Sequence, residues 1–320
     1  MEGRAGDGEP NAQPRRAGPG SPAGLSEVLG HLGSGCSGRL GAAVRRLGST
    51  EGAAWRDGER FRTASTVKVA VHAAVMARAE AGRLRMEARV RVGGPDLVGG
   101  SGVLSVLRPG LAPTVRDLCT LMVVVSDNTA TNMLIDLVGG TEAVNSVVAS
   151  LGFPEIVLER RLGYPPPPLV TGRQLEAAQP GRPLATATPA SMCRLLEAVR
   201  QGSVVSRAAS AEIFLTLAHQ QDRTGVPRAF LGLTGPGEPP VQWPLVASKT
   251  GCVPGCRAEA GVILLPGGTE VAYAVMADDL DDQTMTALSE GDELLGRVGA
   301  AVLSHWWQGP GPVPLRSGWP

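Results

Sequence analysis

The amino-acid sequence predicts an α+β fold, in which both ends of the chain contribute strands to an antiparallel sheet of about five strands flanked by helices. Two strand patterns lie near the start, at Leu40–Leu47 and Gly52–Phe61, and a Gly-Ser-Thr turn joins them. Three more lie late in the chain, where the separators CVPGC and PGG are short enough for antiparallel hairpins. The patterns between these two groups are helical, which predicts an inserted all-helical subdomain.

Start and stop signals support the individual elements. Thr114 with Asp117 three residues later is a capping-box variant, and Thr188 followed by Pro189 supplies an N-cap and a first-turn proline. The late strands are predicted at Pro244–Gly251, Arg257–Leu265 and Thr269–Ala277. The predicted helices are Leu25–Leu32, Ser65–Ala81, Thr114–Val125, Thr129–Leu137, Thr141–Ser150, Thr188–Arg200, Ser206–Gln220 and Thr284–Trp307.

A single folded domain is predicted over residues 25–308. Residues 25–62 and 210–308 form its α/β part, and residues 63–209 form its helical part. A long loop at about 158–188 is expected, because YPPPPLVTG and QPGRP show no convincing period and proline removes backbone donors. The Gly- and Pro-rich ends, residues 1–24 and 309–320, are predicted to be a disordered leader and a flexible tail.

Composition and charge exclude several classes of protein. The 30 basic and 30 acidic side chains give a formal charge of zero, which argues against a nucleic-acid or anionic-membrane binder. No apolar run approaches the roughly 18 residues needed to span a bilayer. We expect a monomer that acts on a small molecule. Without a secretory signal the chain is cytoplasmic as written, or secreted or periplasmic if its natural N-terminus is missing.

The cysteines and histidines do not predict a metal or another cofactor. The five cysteines are few and odd in number, which suits a reducing compartment better than a disulfide scaffold. Cys252 and Cys256 could form half a zinc site, but no second Cys/His pair lies nearby, so a turn is the favoured interpretation. The four histidines show no Ser-His-Asp order, and packing or surface positions are expected for His31, His72, His219 and His305.

Ser65 and Lys68 are the first candidate catalytic pair. Residues three apart share one face of a helix, so the Lys68 amine can reach the Ser65 hydroxyl. Ser65 also falls at the predicted helix N-terminus, where the dipole and free N–H groups favour a developing oxyanion. Burial of Lys68 among apolar neighbours disfavours its ammonium form, which makes it available as a base. A surface pair is the alternative for this motif alone.

The second motif, Ser126-Asp127-Asn128, lies between two predicted helices. Its functional interpretation makes Ser126 a proton shuttle and Asn128 an amide that holds a substrate carbonyl, while Asp127 fixes the loop. Capping and turn residues are the alternative, because Ser, Asp and Asn are common in both roles.

The third motif, Lys249-Thr250-Gly251, lies on a predicted strand that runs into a turn. Its backbone can pair with an extended acyl substrate, while Lys249 and Thr250 bind a carboxylate. An ordinary strand exit is the alternative.

Together, the three motifs occur in the order found in class A β-lactamases and penicillin-binding proteins. Their predicted contexts also fit, because they fall at a helix start, an interhelix loop and a sheet strand. From about Leu25 to Trp307 the chain resembles the class A β-lactamase-related serine hydrolases. The similarity extends to GSGVLSVLRPGLAPTVRDLCTLMVVVSDNTATNMLIDLVGG and SKTGCVPGCRAEAGVILLP.

The resemblance implies a role for each motif residue of the helical part. Ser65 would be the acylated nucleophile and Lys68 its activating partner. Ser126 would relay a proton to the leaving nitrogen, and Asn128 would hold the acyl side-chain amide.

The resemblance also implies the substrate-binding residues of the sheet. Lys249 and Thr250, with Gly251 after them, would face the substrate carboxylate. The oxyanion hole would consist of the backbone N–H groups of the nucleophile and of Cys252. Arg257 on the neighbouring strand is a candidate second carboxylate anchor.

The sequence departs from the family in the Ω-loop at about 158–188, where these lactamases carry E-x-x-L-N. The Glu of that motif orients the water that hydrolyses the acyl-enzyme. Counting back from the Thr188 helix places Gly172 at the Glu position and Glu176 at the Asn position. Counting forward from Leu158 places Leu162 at the Glu position instead. Glu176 is therefore either a replacement deacylation base or a solvated loop residue, and Ser65 would turn over slowly without a base.

Three hypotheses follow for the function. The first is a serine hydrolase that forms an acyl-enzyme on a cyclic amide, most simply β-lactam hydrolysis, with slow deacylation if Glu176 is not the base. The second is a carboxypeptidase, esterase or acyl-transfer enzyme on the same scaffold. The third, from another class, is a non-catalytic sensor or binding domain that is acylated and stays so.

Overall fold

The structure is a computed structural model that describes residues 22–164, 183–230, 245–265 and 267–307. Its strands are β1 Arg39–Arg46, β2 Gly52–Trp55, β3 Phe61–Arg62, β4 Val157–Leu158, β5 Ala185–Ala187, β6 Leu245–Val253, β7 Cys256–Leu264 and β8 Glu270–Asp278. Five of them form one antiparallel sheet in the order β2-β1-β8-β7-β6. Strands from both ends of the chain therefore lie side by side, which confirms the predicted α+β fold class.

Eight α-helices are present in the described part of the chain. They are α1 Pro22–Ser34, α2 Lys68–Glu80, α3 Val115–Val124, α4 Asn128–Val138, α5 Thr141–Ser150, α6 Pro189–Gln201, α7 Arg207–Ala218 and α8 Glu290–Trp306. The predicted capping residues act as expected. The Thr114 side chain accepts a hydrogen bond from the Asp117 N–H at 3.0 Å, and Thr188 caps α6 ahead of Pro189.

The five-stranded sheet is covered on both faces, which explains why its central strands are almost continuously apolar. The side chains of β8 alternate between two hydrophobic cores. Val271, Tyr273 and Val275 belong to the core that also contains residues of α1 and α8. Ala272, Ala274 and Met276 belong to the larger core, which contains residues of α2 to α7. The sheet thus holds the helical part on one face and the terminal helices on the other.

Three predicted elements differ in the structure. The second predicted strand is divided into β2 and β3, because the chain turns between them at Arg56, which has a positive φ of 47°. The last helix begins at Glu290 rather than Thr284, since Ser289 caps it by accepting from the Asp292 N–H at 3.2 Å. The predicted loop at about 158–188 contains β5, which pairs with β3 and β4 in a second, three-stranded sheet.

Helix α1 begins at Pro22, before the predicted Leu25. The remainder of the predicted leader, residues 1–21, and the predicted tail, residues 309–320, lie outside the described residues. Of the helices that the structure describes, none combines the length and the apolar character that a bilayer span requires.

Candidate active site

Ser65 lies in a single 3₁₀ turn, Ala64–Val67, that leads directly into α2. In a 3₁₀ helix the side chains at i and i+3 eclipse one another, so Ser65 and Lys68 project from the same side. Ala64, just before the serine, has a positive φ of 44° and is buried. A non-glycine residue seldom adopts this conformation, and such strain is typical of functional sites. The predicted helix start is confirmed, with a tighter first turn than an α-helix would have.

Lys68 is completely buried and connects the first motif to the second. Its Nζ donates to the Ser126 carbonyl oxygen at 2.7 Å, to Ser126 Oγ at 3.1 Å and to Asn128 Oδ1 at 2.9 Å. No hydrogen bond between Lys68 and Ser65 is found among the described residues. Burial, together with the nearby charge of Lys249, holds the pKa of Lys68 well below its usual range, although Asp127 opposes this shift. A neutral amine is therefore accessible, as a general base requires.

Asp127 holds the second motif in place, as the sequence predicted. Its Oδ1 accepts from the Ala130 N–H at 2.9 Å and so caps α4. Its Oδ2 accepts from the N–H groups of Val103 and Leu104 at 2.7 and 2.8 Å, which ties the motif to a neighbouring loop. Ser126 has a positive φ of 56°. The loop thus keeps the serine in a strained conformation whose carbonyl and hydroxyl both face Lys68.

The third motif lies on β6, against the turn that carries Ser65. Lys249 is completely buried, and its Nζ donates to the Thr250 carbonyl oxygen at 2.7 Å. Burial lowers the pKa of Lys249 to about 8, while the carboxylates of Asp222 and Glu259 limit the shift. A Cβ atom on Gly251 would lie 2.6 Å from the Thr63 carbonyl oxygen and 2.8 Å from the Ser65 nitrogen. Only glycine lets β6 approach the serine this closely.

Cys252 follows Gly251 and lines the cleft. Its thiol lies 3.6 Å from the sulfur of Met285, and burial raises its pKa to about 11, so it is protonated at neutral pH. Val253 pairs with Cys256 across the β6–β7 hairpin, which leaves Pro254 and Gly255 as its turn. The prediction of a turn within CVPGC is confirmed.

The three motifs meet at one cleft of about 500 Å³. Of the predicted site residues, those that line it are Ser65, Ser126, Asn128, Thr250 and Cys252. Lys68 and Lys249 are fully buried behind this lining. None of the four histidines is among the described lining residues. His72 is instead buried in α2, where burial lowers its pKa to about 4 and keeps the ring neutral.

The amino-acid sequence from residue 24 to residue 306 matches the family model of the β-lactamase enzyme family. The chain belongs to this family.

Solved structures agree with the family assignment. A β-lactamase from Sphaerobacter thermophilus is 32% identical, with a TM-score of 0.72, over 88% of this chain and 96% of that one. An ancestral class A β-lactamase, from the last common ancestor of Gram-negative bacteria, is 29% identical, with a TM-score of 0.71, over 87% of this chain and 98% of that one. PBP-A shares the fold at 23% identity, with a TM-score of 0.68, over 87% of this chain and 94% of that one. The chain has the class A β-lactamase fold, and these similarities support a serine β-lactamase-like hydrolase.

Leu162 lies in the wall of the cleft of this β-lactamase-family chain. Asn132 fixes it there, because its amide donates to the Leu162 carbonyl oxygen at 2.8 Å and accepts from the Leu162 N–H at 3.0 Å. Leu162 is the residue that the forward count assigned to the family's Glu position. Gly172 and Glu176, which the backward count used, lie outside the described residues.

Arg257 is buried beside the cleft rather than in its lining. Its Nε donates to Asp292 Oδ2 at 3.0 Å, and its other nitrogens donate to backbone carbonyl oxygens of Val253, Cys256 and Thr284. A role as carboxylate anchor would need the guanidinium to leave some of these partners.

Sequence reasoning assigned no role to two further lining residues, Tyr164 and Asp222. The backbone amide of Gly99 donates to the Tyr164 carbonyl oxygen at 3.0 Å, which brings the end of the described loop to the SDN side of the cleft. Asp222 follows α7 and raises the pKa of Lys249 by its charge. Neither residue belongs to a motif with fixed spacing, so no local signal could identify it.

Proposed function

We propose that this chain is a serine hydrolase that β-lactams acylate at Ser65, and that it releases the acyl group slowly. One observation carries the proposal. The buried amine of Lys68 lies within hydrogen-bond distance of Ser126 Oγ and Asn128 Oδ1, directly behind the cleft that Ser65, Thr250 and Cys252 line. This arrangement brings together a nucleophile, a base, a proton relay and a carboxylate-binding strand.

In the proposed acylation, Lys68 in its neutral form takes the proton of Ser65 as Oγ attacks the lactam carbonyl carbon. The C–O bond forms and the C–N bond breaks, and the proton passes from Lys68 through Ser126 to the leaving nitrogen. The short contact between Lys68 Nζ and Ser126 Oγ, 3.1 Å, supports this relay. Backbone N–H groups of Ser65 and Cys252 would stabilise the oxyanion, as two fixed donors do in other acyl transfers.

Substrate binding would use the remaining motif residues. The Asn128 amide, which donates to the Gly99 carbonyl oxygen at 2.9 Å, would hold the acyl side-chain amide. Lys249 and Thr250 would bind the substrate carboxylate. Arg257 would assist only if it gave up part of its buried ion pair with Asp292.

Slow deacylation follows from the side chain at the cleft wall. Leu162 cannot orient or deprotonate a water molecule. Asp222 is the one carboxylate among the described lining residues, and it lies near Lys249 on the strand side of the cleft. We therefore expect the acyl-enzyme to accumulate unless Glu176 supplies the missing base. The same observation favours the second candidate, a carboxypeptidase, esterase or acyl-transfer enzyme on the same scaffold, and the third, a stably acylated sensor.

Intact-mass spectrometry with penicillin G, followed over time, tests the proposal. We expect an adduct of one penicillin that is absent in Ser65→Ala and persists for many minutes. A burst of nitrocefin hydrolysis followed by a slow steady state would agree with it. If no adduct forms with any β-lactam, the acylation proposal is wrong. An adduct that vanishes within seconds would leave acylation intact and contradict slow release.

Two substitutions locate the deacylation base. Leu162→Glu places a carboxylate in the described wall, and we expect it to shorten the life of the adduct without changing the rate of its formation. Glu176→Gln tests the other candidate. Loss of residual turnover in Glu176→Gln would support Glu176 as the base, and unchanged turnover would exclude it. A parallel screen with simple esters and D-Ala-D-Ala peptides separates the lactamase from the second candidate.

A further inference from the structure

A second cavity of about 160 Å³ adjoins the cleft. The two cavities share four lining residues, Asp222, Thr250, Cys252 and Met285, so a ligand bound along β6 can extend from one into the other. We call the second cavity the side pocket. A cavity of about 150 Å³ holds one six-membered ring, so the side pocket has room for a single ring.

The described lining of the side pocket has more negative than positive side chains. Among its described lining residues, the charged side chains are Asp222, Arg257 and Asp292. Arg257 and Asp292 are both buried and joined by a hydrogen-bonded ion pair of 3.0 Å, so they neutralise each other. This leaves Asp222 without a cation of its own in the described lining. Its Oδ1 accepts from the N–H and hydroxyl of Thr224 at 3.0 and 2.7 Å, and Oδ2 accepts no hydrogen bond from the described part of the chain.

Asp222 lies near one cation, Lys249, that already has a role in the proposed function. Lys249 is buried behind the strand and lies close enough for the Asp222 charge to raise its pKa. In the proposed function, on which this inference rests, Lys249 and Thr250 also bind the carboxylate of the substrate. The Lys249 ammonium group would then face the substrate carboxylate as well as the carboxylates of Asp222 and Glu259, of which Asp222 is the one in the described lining of the side pocket. A ligand with a positive charge beside its carboxylate would restore the balance.

We propose that the side pocket is a subsite for a cationic group carried next to the substrate carboxylate, and that Asp222 is the specificity-determining residue that selects it. The ligand class is a zwitterionic acyl donor, such as a β-lactam that bears a quaternary nitrogen on a small ring. The cationic ring enters beside Thr250 and lies against the free Oδ2 of Asp222.

Two cephalosporins form a matched pair of probes. Cephaloridine and cephalothin share one acyl side chain and differ at the substituent beside the carboxylate, which is a pyridinium ring in the first and a neutral acetoxy group in the second. The measurement is the second-order rate constant for acylation of Ser65 by each compound. Because the compounds differ in intrinsic reactivity, the change in their ratio between variants is the readout.

Asp222→Asn removes the charge and keeps the oxygen that Thr224 contacts. We expect it to lower the cephaloridine-to-cephalothin ratio about fivefold, the usual size of a partly screened charge pair, mostly by slowing cephaloridine. Glu27→Gln on α1 removes one exposed carboxylate remote from the cleft and should leave the ratio unchanged. A ratio that is equal in wild type and Asp222→Asn would overturn the proposal.

A binding measurement separates this inference from the proposed function. In Ser65→Ala the covalent step cannot occur, so calorimetry gives equilibrium affinities of both compounds. Tighter binding of cephaloridine that is lost in Ser65→Ala/Asp222→Asn supports the subsite even if wild-type Ser65 is never acylated. Equal affinities, or no binding of either compound, would exclude the subsite.

Discussion

The two walls of the cleft are built in different ways. The helical wall consists of the 3₁₀ turn Ala64–Val67, the start of α2 and the Ser126-Asp127-Asn128 loop, and it contains two non-glycine residues with positive φ, Ala64 and Ser126. The sheet wall is the Lys249–Cys252 stretch of β6, which pairs regularly with β7 at every position. Of these two walls, the strained one carries the proposed nucleophile and proton relay, while a regular strand presents the proposed binding groups.

Each wall also contains one fully buried lysine, and the two lysines differ in their surroundings. The hydrogen-bond acceptors of Lys68 are a carbonyl, a hydroxyl and an amide oxygen, and the charge of Lys249 adds to the effect of burial. Lys249 lies near two carboxylates, so its pKa falls only to about 8. Burial and the charge of Lys249 thus favour the neutral amine at Lys68, whereas the carboxylates near Lys249 favour its ammonium form. The two side chains are chemically identical, so their environments alone suit Lys68 to act as a base and Lys249 to bind an anion.

Removal of the helical-wall lysine should have the largest effect. In Lys68→Ala we expect acylation by penicillin G to slow about 10³-fold, since a positioned base contributes about that much. Lys68→Arg is the matched control, because it keeps a cation that cannot become neutral at this pH. Both variants should be equally slow in a time course by intact mass. Fast acylation of Lys68→Arg would show that acylation depends on the positive charge of Lys68 and not on the lone pair of its neutral amine.

The Gly251→Ala substitution tests whether the sheet wall must approach the helical wall closely. Its new Cβ would collide with the Thr63 carbonyl oxygen and the Ser65 nitrogen, so β6 must move away from the serine. We expect acylation to slow about 10²-fold, the usual result of a displacement of about 1 Å at a reacting centre. Gly58→Ala is the control, since no heavy atom lies within 4 Å of the position that its new Cβ would occupy. Equal rates for wild type and Gly251→Ala would mean that the close approach is not needed.

The pH profile tests the sheet-wall lysine. Lys249 is a cation below its pKa of about 8 and loses its proton above that value, so binding of a substrate carboxylate should weaken as the pH rises through about 8. We expect the rate constant for acylation by penicillin G to fall about tenfold per pH unit on this alkaline side. An ester without a carboxylate, p-nitrophenyl acetate, should show no such decline. A parallel decline for both substrates would assign the titration to another group.

The smallest expected effect concerns the strain at Ser126. Glycine adopts the observed φ of 56° without the cost that a Cβ adds, so Ser126→Gly should be more stable to urea than Ser126→Ala by about 1 kcal/mol. Both variants lack the hydroxyl and should be equally slow in acylation. A stability difference near zero would indicate that Ala or Ser bears no strain at this position. A faster Ser126→Gly would indicate that strain, rather than the hydroxyl, limits acylation.

Local patterns in the sequence were enough to predict the strands, several helix starts and the first catalytic pair. Alternating and continuous apolar runs marked the strands at both chain ends, and capping signals at Thr114 and Thr188 marked helix starts that the structure confirms. The spacing of Ser65 and Lys68 placed both on one side of a helical turn, because that relation depends only on residues three apart. The order of the three motifs then identified a family, which the match over residues 24–306 shows.

Tertiary structure decided the features that depend on residues far apart in the chain. The pairing of Lys68 with Ser126, the approach of Gly251 to Ser65 and the double hydrogen bond between Asn132 and Leu162 join segments that no local pattern connects. The position of Asp222 beside Lys249 is of the same kind. The pKa of each lysine depends on how deeply its amine is buried and on every charge near it in space. The sequence could therefore indicate which residues form the site, while only the fold shows which lysine is suited to losing its proton.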